Sequence, residues 1–291
     1  MRHPPQSAKA THVVEWEGGQ QRRLLDEVAA EEPLEIRIGG EPVNVTMRTP
    51  GDDFELAAGF LLTEGIITSR EQIARIVYAC GRDGQPSGNL VDVALAAGTT
   101  VDAARLERYF VANSSCGICG KASIDAVRAR EIQPPSPTFS IDPDVLTRLP
   151  DALRAAQRIF GRTGGLHAAA LFHPSGAPEA IREDIGRHNA VDKIIGHALL
   201  EGRLPLSERV LMVSGRSGFE IVQRALVAGV AIVASVSAPS SLAVQLARDY
   251  RLTLIGFLRG SRFIVYAGEG RLRAAAAGGD VVARPTDRKA V

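Results

Sequence analysis

The sequence is short of cysteine and of net charge, and these shortages remove whole classes of protein. Three cysteines in 291 residues are too few and too odd in number for a disulfide framework, so the fold must stand on a packed core. A net charge of +1, from 34 basic and 33 acidic side chains mixed along the chain, gives no broad field to hold a nucleic acid or a membrane surface. No apolar run reaches the ~18 residues of a membrane span, and the opening "MRHPPQSAKATHVVEWEGGQ" lacks the continuous apolar stretch of a secretory signal. The expectation is a cytoplasmic protein with no nucleic-acid or membrane partner, in a compartment that keeps thiols reduced. What is present is 45% hydrophobic content, enough over this length for one large core or two modest ones.

Residues 1–20 mix Pro, Gln, Gly and charge and read as a flexible arm. "LEIRI" and "PVNVTM" alternate apolar with polar around the turn "GGE" and predict a hairpin. "TPGDDFELAAGFLLTEGII" predicts a helix, with Asp52 and Asp53 as N-cap candidates, Phe54, Ala57, Ala58, Leu61 and Leu62 at helical spacing and Gly65 as the stop. Strands over "IARIVYAC" and "NLVDVAL" complete a small α+β domain over 21–110, in which Cys80 is expected to be a buried small hydrophobe. Residues 111–143 read as the cysteine loop, a helix over "KASIDAVRAR" and a Pro-rich connector, with a short helix over "DAARLERYF" before the loop. Over 144–270, continuously apolar strands such as "RVLMVSG" and "VAIVASV" alternate with helices such as "RHNAVDKIIGHALLEG" and "FEIVQRALVAG". That rhythm predicts an α/β domain with a largely parallel sheet covered on both faces. Residues 271–291 have no usable periodicity and read as a disordered tail.

The chemistry-bearing residues fall into four groups. Cys116 and Cys119 stand in "NSSCGICGKAS", where a helix beginning near Lys121 and the lysine itself can lower a thiol pKa, and Gly117 and Gly120 leave the backbone free to move. Spacing alone leaves three readings open: sulfur or redox chemistry, half of a zinc site completed from His167, His173, His188 or His197, or inert thiols. "RTGGLHAAA" sets His167 at the start of a strand beside Gly164 and Gly165, a candidate acid/base or ligand-contacting group. "REDIGRHNAVDK" gathers charge from Arg182 to Lys193 where a strand gives way to a helix, either a solvated face or a ligand edge. "VSGRSGF", with Ser214, Gly215, Arg216, Ser217 and Gly218, and "SVSAPSS", with Ser235, Ser237, Ser240 and Ser241, supply N–H groups and hydroxyls suited to phosphate or a purine edge. "FLRGSR" adds Arg259 and Arg262, whose guanidinium forks match phosphate.

Taken in order, "NSSCGICG", "TGGLHAAALF", "REDIGRHNAVDKIIG", "VSGRSGFEIVQ" and "SAPSSLAVQLA" resemble the FdhD family of formate dehydrogenase accessory sulfurtransferases, from about Pro33 to Gly268. The resemblance implies a three-layer α/β, cytidine-deaminase-like C-terminal domain without the deaminase zinc signature, beside a smaller α+β domain. It implies a sulfurtransferase that takes persulfide sulfur from a cysteine desulfurase and delivers it to a molybdenum bis(molybdopterin guanine dinucleotide) cofactor, bound as substrate, for formate dehydrogenase. Residue by residue, Cys116 matches the persulfide-bearing cysteine and Cys119 its partner. Phe257, Leu258, Arg259, Gly260, Ser261 and Arg262 fall where the family contacts the cofactor. The guanine dinucleotides would supply the phosphates for Ser214, Gly215, Arg216 and Ser237. A homodimer and no structural metal are expected from the same resemblance. Two other readings stay in view, a non-enzymatic chaperone for cofactor and apoenzyme and a zinc-dependent hydrolase or deaminase.

Overall fold

The computed structural model describes residues 6–81, 84–99 and 132–273. Its first element corrects the flexible arm: β1 (Ala8–Glu17) and β2 (Gln20–Ala29) form an antiparallel ribbon. Gly18 and Gly19, at φ 58° and 81°, provide the doubly positive turn that a two-residue hairpin requires. The ribbon is tied down at its base by Lys9 to Glu32 at 2.7 Å and by Arg162 to Glu27.

Strands β3 (Glu32–Ile38), β4 (Glu41–Arg48), β5 (Ile73–Cys80) and β6 (Pro86–Leu95) make a four-stranded sheet in the order β4-β3-β6-β5. Leu34, Ile36, Val43, Val91 and Val93 line its buried face. Cys80 is exposed, contrary to the expectation of burial, because it is the last residue of an edge strand and the core's cover stops short of it. Helix α1 (Asp53–Thr63) packs on this sheet. Asp52 holds the N-cap position but makes no side-chain cap. Asp53 instead turns inward to accept from Arg48 Nε and Nη2 at 2.9 and 3.1 Å, and both side chains of this pair are fully buried. Tyr78 donates to Asp53 at 3.2 Å; burial and then the Asp53 charge push its phenol up to about 12.

Beyond the connector come α2 (Pro143–Ala156), α3 (Arg158–Thr163), β7 (His167–Phe172), β8 (Pro178–Asp184), α4 (Arg187–Leu200), β9 (Val210–Val213), α5 (Phe219–Val227), β10 (Ile232–Ser235), α6 (Ser241–Asp249), β11 (Thr253–Arg259) and β12 (Arg262–Ala267). The six strands form one sheet in the order β12-β11-β10-β9-β7-β8. Only β9, β10 and β11 are parallel; hairpins at both margins make the sheet mixed, since the short returns of β7 to β8 and β11 to β12 admit only antiparallel pairing. The period-2 alternation of buried strands sorts the core into two faces. Leu211, Val213, Val233 and Leu254 point toward α1, α4, α5 and α6, while Val210, Met212, Ile232 and Ile255 meet Leu146, Leu149 and Leu153 of α2. The result is the expected three layers.

The first core face continues without a break into the four-stranded sheet. The joint is the crossing of α1 and α4, where glycines bring backbone against backbone: a Cβ on Gly59 would lie 1.8 Å from the Asp192 carbonyl oxygen, and one on Gly196 1.8 Å from that of Glu55. At the far end, the start of the presumed tail is ordered. Leu272 bridges Ile141, and the Arg271 guanidinium donates to the carbonyls of Arg251, Pro135 and Ser136. The rest of the tail, 274–291, and the helices expected around the cysteines lie outside the described residues. No helix among the described residues is long and apolar enough to cross a membrane.

Candidate functional site

Three parallel strands end at one edge of the central sheet, and the turns that follow them carry the Ser/Gly motifs. Antiparallel β7 begins at this same edge, since Ala169 pairs with Val213, so His167 stands beside Ser214. The two turns interlock. Ser217 and Ser235 share a hydroxyl hydrogen bond of 3.0 Å, Ser240 N donates to the Ser217 carbonyl at 3.3 Å, and Ser235 donates to the Ser237 carbonyl at 2.8 Å. Ser240 caps α6 by accepting from Ala243 N. These hydroxyls therefore brace the turns. Ser214 is anchored by its main chain and its oxygen to Ala168, and it faces the space beyond the edge.

The end of β11 is irregular in a way that serves the same edge. Its register with β12 slips between Gly256 and Arg259, and Phe257 takes φ 51°, a left-handed conformation that a bulky residue adopts only under tertiary constraint. Its N–H is held by the Ser237 carbonyl at 3.1 Å. The bulge turns Leu258 into the core and carries Arg259 and Gly260 to the rim, with Arg259 Nε donating to the Val236 carbonyl at 3.0 Å. Ser261 and Arg262 are exposed on the turn beyond.

These elements form one side of a cleft of about 810 Å³, a size that holds a small-molecule ligand. His167, Ser214, Leu258, Arg259 and Gly260 line it from the sheet edge, and Asp151, Arg154, Gln157 and Phe160 line it from α2 and α3. Of the other candidates, Gly215, Arg216, Ser237 and Phe257 lie in the adjoining turns. Gly215 packs closely on the imidazole: a Cβ there would sit 3.2 Å from His167 Nδ1, so the ring would have to give by a few tenths of an ångström. Burial first, then the positive charges of Arg187, His188 and Arg216, pull the His167 pKa below the ordinary imidazole value, against a smaller opposing effect of Asp184. At neutral pH His167 is a neutral imidazole within a cationic surround.

The charge cluster from Arg182 to Lys193 divides between structure and site. Arg182 grips Glu55 with two bonds of 2.5 and 2.7 Å, and His197 joins that carboxylate at 3.0 Å. Glu183 accepts from the backbone N–H groups of Ile159 and Phe160, which fixes the start of α3. Buried Asp184 accepts from Lys193 at 2.8 Å, Asn189 at 3.0 Å and the Thr49 N–H at 3.2 Å. Asp192 accepts from Arg224 at 3.0 Å and Thr63 at 2.8 Å. Arg187 and His188, the latter paired with Glu220 at 2.7 Å, bear on the cleft by lowering the His167 pKa, against the smaller opposing effect of Asp184.

Of the zinc-candidate histidines other than His167, His188 and His197 are taken by carboxylates, and His173 bonds Ser175 at 2.9 Å. Among the described residues no three His, Cys, Asp or Glu side chains stand close enough together to hold a metal. Cys116, Cys119 and Lys121 lie outside the described residues.

The α2–α3 wall is the part of the site that sequence reading missed. Its signal was available: Asp142 accepts from Asp144 N as an N-cap, Pro143 follows at the first helical position, and Leu146, Leu149 and Leu153 recur at helical spacing. Pro150 inside the helix obscures that pattern.

Residues 29–273 match the family model described as the FdhD/NarQ family. A protein of Streptomyces avermitilis named "Sulfur carrier protein FdhD" is 57% identical over 260 residues, covering 87% of this chain and 92% of the relative. One of the same name from Mycobacterium tuberculosis is 52% identical over 252 residues, 84% and 91% of the two chains. The crystal structure of a putative formate dehydrogenase accessory protein from Desulfotalea psychrophila superposes with a TM-score of 0.72 at 23% identity, over 91% of this chain and 99% of that one, which speaks for the fold. On these matches, the chain belongs to the FdhD/NarQ family.

Proposed function

We propose that this protein is a sulfur carrier that takes sulfane sulfur from a cysteine desulfurase onto Cys116 and transfers it to a molybdenum bis(guanine dinucleotide) cofactor destined for formate dehydrogenase. The observation that carries the reading is the cleft. His167, Ser214, Leu258, Arg259 and Gly260, singled out by motif in three separate stretches, converge on one cavity in a chain whose relatives are named sulfur carriers. Backbone N–H groups of the Ser/Gly turns, with Arg259, Arg262 and Arg216 at the rim, suit the phosphates of a guanine dinucleotide.

In this reading the Cys116 thiolate attacks the outer sulfur of the desulfurase persulfide. A Cys116 S–S bond forms and the desulfurase thiolate leaves. Cys119 then attacks the Cys116 sulfur: the Cys116–Cys119 disulfide forms, the sulfane sulfur leaves as hydrosulfide with two electrons from the thiols, and the cofactor metal, as substrate, accepts it. A dithiol reductant restores the pair. In the protein as substrate carrier, a homodimer would present two equivalent clefts, matching the two guanine ends of the cofactor.

Incubation with a desulfurase and cysteine should add about 32 Da, one sulfur, to the Cys116 peptide. Cys116→Ala should abolish both the adduct and the appearance of active formate dehydrogenase. Active enzyme formed with Cys116→Ala would overturn the carrier mechanism and favour a chaperone that only holds the cofactor.

A further inference from the structure

One face of the β1–β2 ribbon is covered by no described residue along most of its length. Residues directly opposite each other in an antiparallel pair lie on the same face, so the register that sets His12 against Leu25, Val14 against Arg23 and Trp16 against Gln21 puts three large apolar side chains together. Val14 is 48% exposed, Trp16 69% and Leu25 62%. At its base this same face is anchored. Glu27 pairs with Arg162, and a Cβ on Gly165 would meet the Ala29 Cβ at 3.6 Å. Gly165 also lines the cleft, so the exposed face begins at the cleft rim. At about 3.3 Å per residue its far end, at Gln21, stands about 26 Å beyond Ala29. The match to the family model begins only at residue 29, which leaves this arm outside the stretch that defines the family.

We infer that this face is the docking surface for the formate dehydrogenase apoenzyme, and that it receives an apolar strip bordered by carboxylates. The inference rests on the carrier reading above and adds the place where the client protein is held. A two-stranded ribbon is marginal in water by itself, yet this one pairs without a break from Ala8–Ala29 to Glu17–Gln20 and holds a tryptophan, a valine and a leucine in solvent. A contiguous exposed apolar patch marks an interaction site, and tryptophan and arginine are the residues in which interface energy concentrates. With Glu27 held by Arg162, the strong charge left on the face is Arg23, which among the described residues stands in no ion pair. Its complement is therefore acidic. A second copy, turned face to face, brings no such complement, because its own carboxylate on this face is already paired with Arg162. Area points the same way: a strip about 26 Å long and about 10 Å wide offers roughly 300 Å², against the ~800 Å² per partner of a stable independent interface. Such a strip suffices for a partner held at a second place as well. A protein that collects a cofactor from the adjoining cleft is held there too.

Trp16 is the one tryptophan of the chain, so 5-fluorotryptophan labels this face alone. The test follows its fluorine NMR resonance in the full chain on addition of cofactor-free formate dehydrogenase, on addition of a cysteine desulfurase, and as the protein's own concentration rises. The resonance should shift with the apoenzyme, with an affinity that falls as salt is added, and should stay in place in the other two series. Arg23→Glu and Leu25→Ser should each weaken apoenzyme binding by about tenfold or more and lower the yield of active formate dehydrogenase. Arg22→Gln, on the opposite face beside Glu15, should bind as wild type does. Arg23 and Leu25 are exposed, so unchanged melting curves are expected and separate lost docking from lost folding. Persulfide loading of Cys116 should be normal in all three variants. A resonance that moves only with the desulfurase, or only with the protein's own concentration, overturns the assignment by naming a different occupant. Undiminished apoenzyme binding by the Arg23→Glu/Leu25→Ser double variant overturns it as well. In those cases Cys116 still loads and the carrier reading stands; a Cys116 that never loads sinks the carrier reading, while the shift on adding apoenzyme still decides the role of the ribbon.

Discussion

Gly59 and Gly196 set helix propensity against packing, and the structure decides between them. Replacing a helix-interior glycine by alanine stabilises an unhindered helix by about 1 kcal/mol. Here the new Cβ would lie 1.8 Å from a facing backbone carbonyl oxygen, where real Cβ atoms keep at least 3.0 Å. Neither helix can accommodate this by a rotamer change, because the obstacle is main chain. α1 and α4 must separate by about 3.0 − 1.8 = 1.2 Å along that line, and a radial gap of even 0.5–1 Å forfeits a quarter to a half of the contact energy across an interface. Leu56, Phe60, Ile195 and Leu199 are buried in the core that these two helices share, each with about 1.5–3 kcal/mol at stake. The loss is thus about 3–4 kcal/mol, and after the propensity gain Gly59→Ala should destabilise by about 2–3 kcal/mol. Chemical denaturation of the full chain measures this, with Gly161→Ala as the control: Gly161 lies within α3 and a Cβ there meets nothing within 4 Å, so that variant should be as stable as wild type or more so. The Gly59→Ala/Gly196→Ala double variant should cost less than the sum of the singles, since one opening of the helices relieves both clashes. A Gly59→Ala protein as stable as wild type would refute the claim that this crossing locks the small sheet to the central one.

Other expectations follow from the buried charges and the cleft. Arg48→Leu leaves Asp53 buried without its partner and should cost about 3–5 kcal/mol, read as a shift of the denaturation midpoint; adding Asp53→Asn should return part of that loss. The His167 imidazole, titrated by NMR, should show a pKa below its ordinary value in the free protein, for the burial and cationic neighbours described above, and GDP should raise it by offsetting those charges. By linkage, the unfolded chain takes up the His167 proton before the folded one does, so the free protein should lose stability as pH falls from the ordinary histidine value through the depressed one. Over that window GDP should bind more tightly as pH falls, because the complex takes up a proton that the free protein does not. Arg216→Ala should weaken every nucleotide alike and flatten the salt dependence of binding, as expected for a side chain that meets phosphate rather than base.

Much of the architecture was legible because the strands are buried on both faces. "RVLMV" and "AIVAS" have no polar alternation, and the helices between them carry clear stripes, so β9, α5, β10 and α6 fall where periodicity puts them. The ribbon over Ala8–Ala29 was missed because its hydrophobes are not on a buried face: Trp16 is 69% exposed and Leu25 62%, and without burial the alternation that marks a strand is diluted by charge. For the site, the turns after β9 and β10 and the "FLRGSR" segment were read correctly as neighbours of one sheet edge. Their individual serines were not: Ser217 and Ser235 donate and accept within the turns themselves. A hydroxyl in a tight turn finds backbone partners before it finds a ligand, and sequence does not reveal which serine is left facing outward.

The cluster "REDIGRHNAVDK" shows how far helical geometry alone could have gone. Once the helix start is placed at Arg187, Asn189, Asp192, Lys193 and Gly196 follow at intervals of three, one and three residues and so share one face. That face carries the glycine of the helix crossing and must be turned inward, so its amide, carboxylate and ammonium are obliged to find partners there, and they do: Asp184, Thr63 with Arg224, and Asp184 with Thr49. Arg187 and His188 precede that face in the first turn, and their charges are among those felt by His167. The same twelve residues therefore do two jobs, divided by helical angle: those on the glycine face neutralise one another and fasten the small sheet to the central one. Of the other two, Arg187 lends positive charge to the cleft and His188 pairs with Glu220. A fold that spends its buried charges on internal pairs and sets Arg187, Arg216 and Arg259 about one sheet edge gathers positive charge there, even though the chain as a whole is close to neutral.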